Sequence, residues 1–156
     1  MKIEIRQATK DDIDGIVELK GQLADYHIEI DTYYKPGLEM RKEYKAQLIP
    51  LFERENVKIF VAEAENKVIS YFIGTIEPSK PFIVPNEIGR IADAFVAEKY
   101  RGSGIGKQIF KKIIDWFRQN QINYVELSVD SRNKTGLNAW QKLGFKEYMK
   151  KMRLDL

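Results

Sequence analysis

The hydrophobic patterning of this chain predicts an α/β fold: a mixed sheet with helices on both faces. Three observations carry the prediction. Short alternating or continuously apolar runs, rich in β-branched and aromatic residues, read as strands. Between them lie stretches whose apolar residues recur at helical spacing. A glycine-rich turn, Gly102-Ser103-Gly104-Ile105-Gly106, joins a strand-like run to a helix-like one, as turns at the carboxyl ends of strands do in open α/β sheets.

Ile3-Glu4-Ile5-Arg6 alternates and reads as the first strand. Thr9, followed by Asp12, resembles a capping box. Ile13, Ile16, Val17, Leu23 and Ala24 then share one face, so a helix is expected over 10–26, with Lys20 its one polar break. Residues 25–37 are rich in aromatics and acids and end on Pro36-Gly37, which predicts a loop. A second helix is expected over 38–55 from Tyr44, Leu48, Leu51 and Phe52, with Pro50 breaking or kinking it. Residues 59–62 and 68–76 form a hairpin across Glu65-Asn66-Lys67. Pro78, Pro81 and Pro85 make 77–86 a loop. Glu87–Val96 is the next strand, and Ile105–Gln119 a helix burying Ile105, Ile109, Ile113 or Phe110, Trp116 and Phe117. A strand over 124–129, a closing helix over 134–143 and a last strand over 146–154 complete the order β-αα-ββ-β-α-β-α-β. No repeat, low-complexity tract or linker interrupts it, so residues 1–156 are expected to form a single domain.

Composition narrows the function. At 156 residues and 44% hydrophobic content the chain can bury a core. It has no apolar run of about 18 residues, and Met-Lys-Ile-Glu-Ile alternates like a strand rather than a leader, so a cytoplasmic protein that does not engage a membrane is expected. Zero cysteines exclude disulfides, thiolate metal sites and a cysteine nucleophile, and one histidine excludes a histidine-rich metal site. The net charge of +3 hides an asymmetry: residues 1–98 carry 13 Lys/Arg and 18 Asp/Glu (−5), residues 99–156 carry 13 and 5 (+8). The basic half suits a polyanionic ligand and the acidic half a cationic one, although either can be a solvated face. A nucleic acid partner lacks support, because no binding motif or cluster of aromatics accompanies the basic residues.

The turn itself points to phosphate. Glycine lets backbone approach a ligand closely, and a helix start presents unpaired N–H groups with partial positive charge. Arg101 and Lys107 flank it with two cations. A nucleoside triphosphatase loop, G-x-x-x-x-G-K-[ST], does not fit, since Arg101 stands where its first glycine belongs and Gln108 follows Lys107. A dinucleotide fingerprint, G-x-G-x-x-G, fails at Lys107, and a ligand-free glycine turn leaves the two cations unexplained.

What fits is R-x-x-G-x-G, with Arg101, Gly104 and Gly106, after a strand and opening a helix. This resembles the coenzyme A loop of the GNAT superfamily of acetyl-CoA-dependent N-acetyltransferases. Asn133, opening N-K-T-G-L-N-A-W-Q-K-L-G-F, and the Gly144-Phe145 turn are similar to that family's closing helix and its exit. The likeness covers 87–156 by motif and 1–86 by element order. It implies the GNAT fold, a mixed, mostly antiparallel sheet of 6–7 strands with about four helices, and acetyl transfer from acetyl-CoA to a primary amine of a small molecule or peptide, with no metal. A non-catalytic CoA-binding sensor is the alternative, and a homodimer an assembly to be tested.

By the same resemblance, backbone of Phe95 and Val96 pairs with the pantetheine arm, the Val96 N–H polarises the thioester carbonyl, and Arg101, Gly102, Ser103, Gly104, Ile105, Gly106 and Lys107 bind the pyrophosphate. Asp93, a carboxylate inside an apolar strand, is a candidate base or amine binder; the plainer reading is an ion pair with Arg90, Arg101 or a nearby N–H. Asp93-Ala94-Phe95-Val96 resembles the strand end of polyamine-type acetyltransferases, except that Ala92 replaces their second acid. Glu87 is a weaker candidate. Trp140 stands at the family's tyrosine position; its indole donates a hydrogen bond but is no acid, so it packs on pantetheine, bonds the sulfur or belongs to the core. Asn133 is an N-cap that, by resemblance, also reaches the pantetheine amide. Tyr26, His27, Tyr33 and Tyr34 lie where the family builds its acceptor wall, with Asp25, Glu29 and Asp31 available to a cation. His27 is either a base or an ordinary packed histidine.

Overall fold

The computed structural model describes residues 2–156. Its strands are β1 (Ile3–Gln7), β2 (Val57–Ala64), β3 (Lys67–Pro78), β4 (Glu87–Val96) and β5 (Val125–Glu126), joined in one sheet in that order. The first four pair antiparallel; β4 and β5 are parallel. The helices are α1 (Ile13–Ile30), α2 (Gly37–Leu48), α3 (Ile105–Gln119) and α4 (Lys134–Lys142). Among these residues no helix is long and apolar enough to cross a membrane.

The β2–β3 hairpin turns on Glu65 and Asn66, both with positive φ (52° and 60°), the conformation whose twist matches the flanking strands. Parallel pairing of β4 and β5 requires a crossover, which α3 supplies. Alternation along the strands sends Val57, Ile59, Val61, Tyr71, Ile73 and Phe95 to one face, beneath α1 and α2. The other face packs Ala62, Ile69, Phe72 and Ile91 against α3. From α3 come Ile105, Ile109, Ile113, Trp116 and Phe117, so Ile113 rather than Phe110 is the fully buried member of its pair. These five side chains contribute on the order of 10 kcal/mol of apolar burial before ordering costs.

Four expectations are corrected. The sheet has five strands, not six or seven: residues 146–154 enter no ladder and all of 146–156 is exposed. Tyr148, Met152 and Leu154 do alternate to one side, but β5, two residues long, offers little edge to pair with. The 25–37 loop is shorter than expected, because α1 continues to Ile30; no Gly or Pro interrupts 25–30, and the Asp31 N–H still reaches His27 O at 2.9 Å. The second helix stops at Leu48, where Pro50 turns the chain into a 3-10 segment, Ile49–Glu53. The third strand runs past Ile76 to Pro78, since Glu77 and Pro78 keep their places opposite Ile88 and Glu87. Helices α1 and α2 meet at two glycines: a Cβ on Gly37 would lie 2.1 Å from Gly21 O.

Candidate active site

The end of β4 organises the site. Its register against β3 shifts between Ile73 and Gly74, which makes Ala92 an extra residue, and is regular from Asp93 to Val96. The bulge lets Ile91 pack toward α3 while Asp93 faces α1. On the far edge, β5 matches only Gly89 and Arg90, so β4 has no strand partner there from Ile91 to Val96 among the described residues. The Ala97 N–H donates to Ile69 O at 2.9 Å, toward β3. Val96, one residue earlier, therefore points its own N–H and C=O away from β3, into the open edge.

The chain then passes through a 3-10 turn, Glu98–Tyr100, to the glycines. Gly102 and Gly104 have φ of 76° and 84°, and nothing lies within 4 Å of where a Cβ on either would stand. The backbone is thus bare to an incoming group. Ser103 Oγ closes the turn on Tyr100 O at 2.5 Å. The first α3 amide to find a helical acceptor is Gln108, on Gly104 O at 3.1 Å; those of Ile105, Gly106 and Lys107 are left facing outward. Ile105 buries its side chain, so only its backbone belongs to the turn. Arg101 borders the turn: its Nε donates to Val96 O at 3.0 Å, and its guanidinium lies 5.3 Å from the Phe95 ring and 5.9 Å from the Tyr26 ring.

Asp93 pairs with Lys20 of α1, not with Arg90 or Arg101. The Lys20 ammonium also stands 5.1 Å from the Tyr44 ring centroid and 6.0 Å from that of Tyr71. The Tyr71 hydroxyl is buried with no hydrogen-bond partner among the described residues; burial first, then the Asp93 charge, pushes its pKa well above the ordinary phenol. Lys20, Tyr44 and Asp93 stand between two cavities of about 180 and 380 Å³. His27, Tyr33 and Tyr34 line the larger one, with His27 and Tyr34 stacked at 5.0 Å. Burial holds the His27 pKa below the usual imidazole value, against the pull of Asp93 and Asp130.

The remaining candidates make the following contacts. Tyr26 donates its hydroxyl to Asn133 Oδ1 at 3.1 Å, and the same oxygen caps α4 through the Gly136 N–H at 2.9 Å. Asp31 clasps Arg132 and Arg153, both at 2.9 Å, and the Tyr33 N–H together with these cations holds its pKa down to about 2. Asp25 caps α2 through the Gly37 N–H at 2.8 Å. Trp140 sits among Phe72, Phe110 and Phe145, at centroid distances of 5.8, 6.4 and 5.5 Å. Among the described residues no group of three or more His, Cys, Asp or Glu is placed to hold a metal ion. Lys20, Tyr44 and Tyr71 were not picked out from the sequence as site residues. The available signal was a pair of exceptions of opposite charge, Lys20 in an apolar helical stripe and Asp93 in an apolar strand.

An open strand edge that runs into a bare glycine turn is an acyl-carrier cradle in outline, and comparison with known proteins decides which. The model of the acetyltransferase (GNAT) family matches residues 24–145. The chain belongs to that family. An uncharacterized N-acetyltransferase of Methanocaldococcus jannaschii is 30% identical over 149 residues, which are 92% of this chain and 60% of that protein; the chain spans under two thirds of that relative's length. The glucosamine 6-phosphate N-acetyltransferase of Trypanosoma brucei brucei is 27% identical over 156 residues, 99% of this chain and 96% of that one. In three dimensions, the aminoglycoside N-acetyltransferase AAC(6')-Iy in complex with CoA superposes with a TM-score of 0.80 at 18% identity, covering 99% of this chain and 95% of that one. Membership places the chain among acetyltransferases, and the CoA-bound neighbour shares its fold. Trp140, where the resemblance led to the expectation of a tyrosine, is packed in the aromatic cluster.

Proposed function

We propose that this protein transfers the acetyl group of acetyl-CoA directly to a primary amine of a small molecule or peptide. The observation that carries the reading is the open β4 edge at Val96 leading into the uncovered Gly102–Gly104 turn. The edge fits an amide-bearing arm, which adds to a strand by main-chain hydrogen bonds. The turn fits a pyrophosphate, held by the outward amides of 105–107 and by Lys107. The Val96 N–H supplies a donor for the oxyanion that forms as the amine attacks the carbonyl. Asp93 takes the amine's proton through water, the nitrogen lone pair forms the new C–N bond, and the C–S bond breaks with its electrons leaving on the thiolate. His27, whose pKa burial lowers, lines the same cleft as a second proton acceptor. Direct transfer needs no acyl-enzyme, in keeping with the absence of cysteine from the sequence. The names of two similar proteins, acting on glucosamine 6-phosphate and on aminoglycosides, support an amine acceptor.

The test is calorimetry with acetyl-CoA on the wild type and Gly104→Glu, followed by thiol release with an amine panel. Gly104→Glu puts a carboxylate against the pyrophosphate and is expected to abolish binding. An unchanged affinity removes the glycine turn from the donor site. The packed Trp140, with no phenol to protonate the leaving thiolate, favours a second reading, a CoA-binding sensor; acetyl-CoA bound with no thiol released to any amine selects it.

A further inference from the structure

If the donor lies on β4 as proposed above, the cleft beside Asp93 receives the acceptor, and its charges restrict what that acceptor is. The other acids named for a cation do not line that cleft: Asp25 caps α2, Asp31 clasps two arginines, and Glu29 is exposed outside both cavities. Among the residues lining the larger cavity, Asp93 is the one carboxylate, against two ammonium groups, Lys20 and Lys35. Asp93 is itself paired with Lys20, the side chains being 20% and 16% exposed.

A pair this sheltered is not opened by charge alone. Removing one partner leaves the other poorly solvated and uncompensated. A purely cationic amine at Asp93 would strand the Lys20 ammonium and set a second positive charge beside it. An amine that carries its own anionic group avoids both costs. Its ammonium turns to Asp93 while its anion takes Lys20 and Lys35, so every charge keeps a counter-charge.

The geometry points to an acceptor that is a small primary amine bearing a carboxylate or phosphate, inserted between Lys20 and Asp93 with its anion on Lys20 and Lys35. The cavity of about 380 Å³ suits such a molecule. The transfer chemistry is that given above, with the proton passing toward Asp93.

The experiment measures acetyl-CoA affinity by calorimetry, then kcat/KM for acceptors matched in pairs: an α-amino acid against its amide, and an amino-sugar phosphate against the parent amino sugar, with spermidine as the purely cationic reference. The anionic member of at least one pair is expected to lead roughly tenfold to a hundredfold, the worth of a charge-assisted contact. The pair that shows the lead distinguishes carboxylate from phosphate. Lys35→Gln should shrink that ratio and leave the acetyl-CoA Kd unchanged, and Lys20→Met, by freeing Asp93, should raise activity on spermidine. Equal kcat/KM within both pairs, or turnover confined to neutral and cationic amines, overturns the acceptor class while acetyl transfer stands. Acetyl-CoA that does not bind, or binds and acetylates nothing, overturns both.

Discussion

Asp93→Asn separates proton transfer from binding. An aliphatic amine with pKa about 10.4 needs roughly 4.6 kcal/mol to lose its proton at about pH 7. Asp93 and Val96 lie three residues apart on a regular stretch of β4, which is about 10 Å along a strand. An amine attacking a carbonyl held at the Val96 N–H therefore lies within about 10 Å of the Asp93 position, a span that a relay through water covers. A base at that range contributes about 10²–10⁴ in rate, or roughly 2.7–5.4 kcal/mol. Asparagine keeps the shape but cannot accept the proton. We therefore expect kcat at about pH 7 to fall by roughly 10²–10⁴, with the acetyl-CoA Kd nearly unchanged. The deficit should shrink toward about pH 10, where the amine deprotonates unaided. The assay is thiol release at saturating acetyl-CoA across that range, with calorimetry for the donor and Tm as a check on the loss of the Lys20 pair. A kcat within about tenfold of wild type, or a deficit equal at both ends of the range, refutes the role of Asp93 as base.

His27 is the sole histidine, so its imidazole NMR signals are unambiguous; because burial lowers its pKa, it should titrate below about 6.5. The sign follows from linkage: the folded state binds the proton less readily, so the His27 contribution is present above about pH 6.5 and lost as pH falls through the folded pKa, and a midpoint at or above about 6.5 would contradict it. Gly37→Ala drives a Cβ to 2.1 Å from Gly21 O, forcing α1 and α2 apart; we expect a loss of about 1–3 kcal/mol and a Tm lower by roughly 2–4 °C per kcal/mol, and an unchanged melt would mean the helices do not meet there. Gly104→Ala meets no atom within 4 Å but keeps a φ of 84°, so it should cost about 1–2 kcal/mol in stability while still binding acetyl-CoA, unlike Gly104→Glu. Loss of binding in the alanine variant would show that the turn tolerates no side chain at all.

The sequence displayed some of this architecture plainly and concealed the rest for physical reasons. Strand β4 and helix α3 begin and end where periodicity places them, because each is strongly patterned and bounded by loop residues. The end of α1 was hidden because Tyr26 to Ile30 mixes aromatic, acidic and apolar side chains, a composition that serves an exposed loop or a helix lining a cleft equally well. Residues 146–154 have strand-like composition, yet a strand exists only with a neighbour, and β5 is too short to be one. The glycine turn was legible because bare backbone is written in residue type. The Lys20–Asp93 pair was not, because contact between residues 73 positions apart follows from the bulge at Ala92, and a bulge leaves little mark on hydrophobic periodicity.

The gap between β4 and β5 has a consequence for how this molecule behaves when empty. An uncovered strand edge is an invitation to any extended chain, and proteins usually shield theirs. On the proposed reading the shield is the co-substrate, whose amide arm would zip the seam shut. Starved of its donor, the protein should show faster amide hydrogen exchange along that seam and a greater tendency to self-associate; supplied with it, both should subside. If acetyl-CoA binds as proposed, it acts as a removable sixth strand, and its supply would set how complete the sheet is.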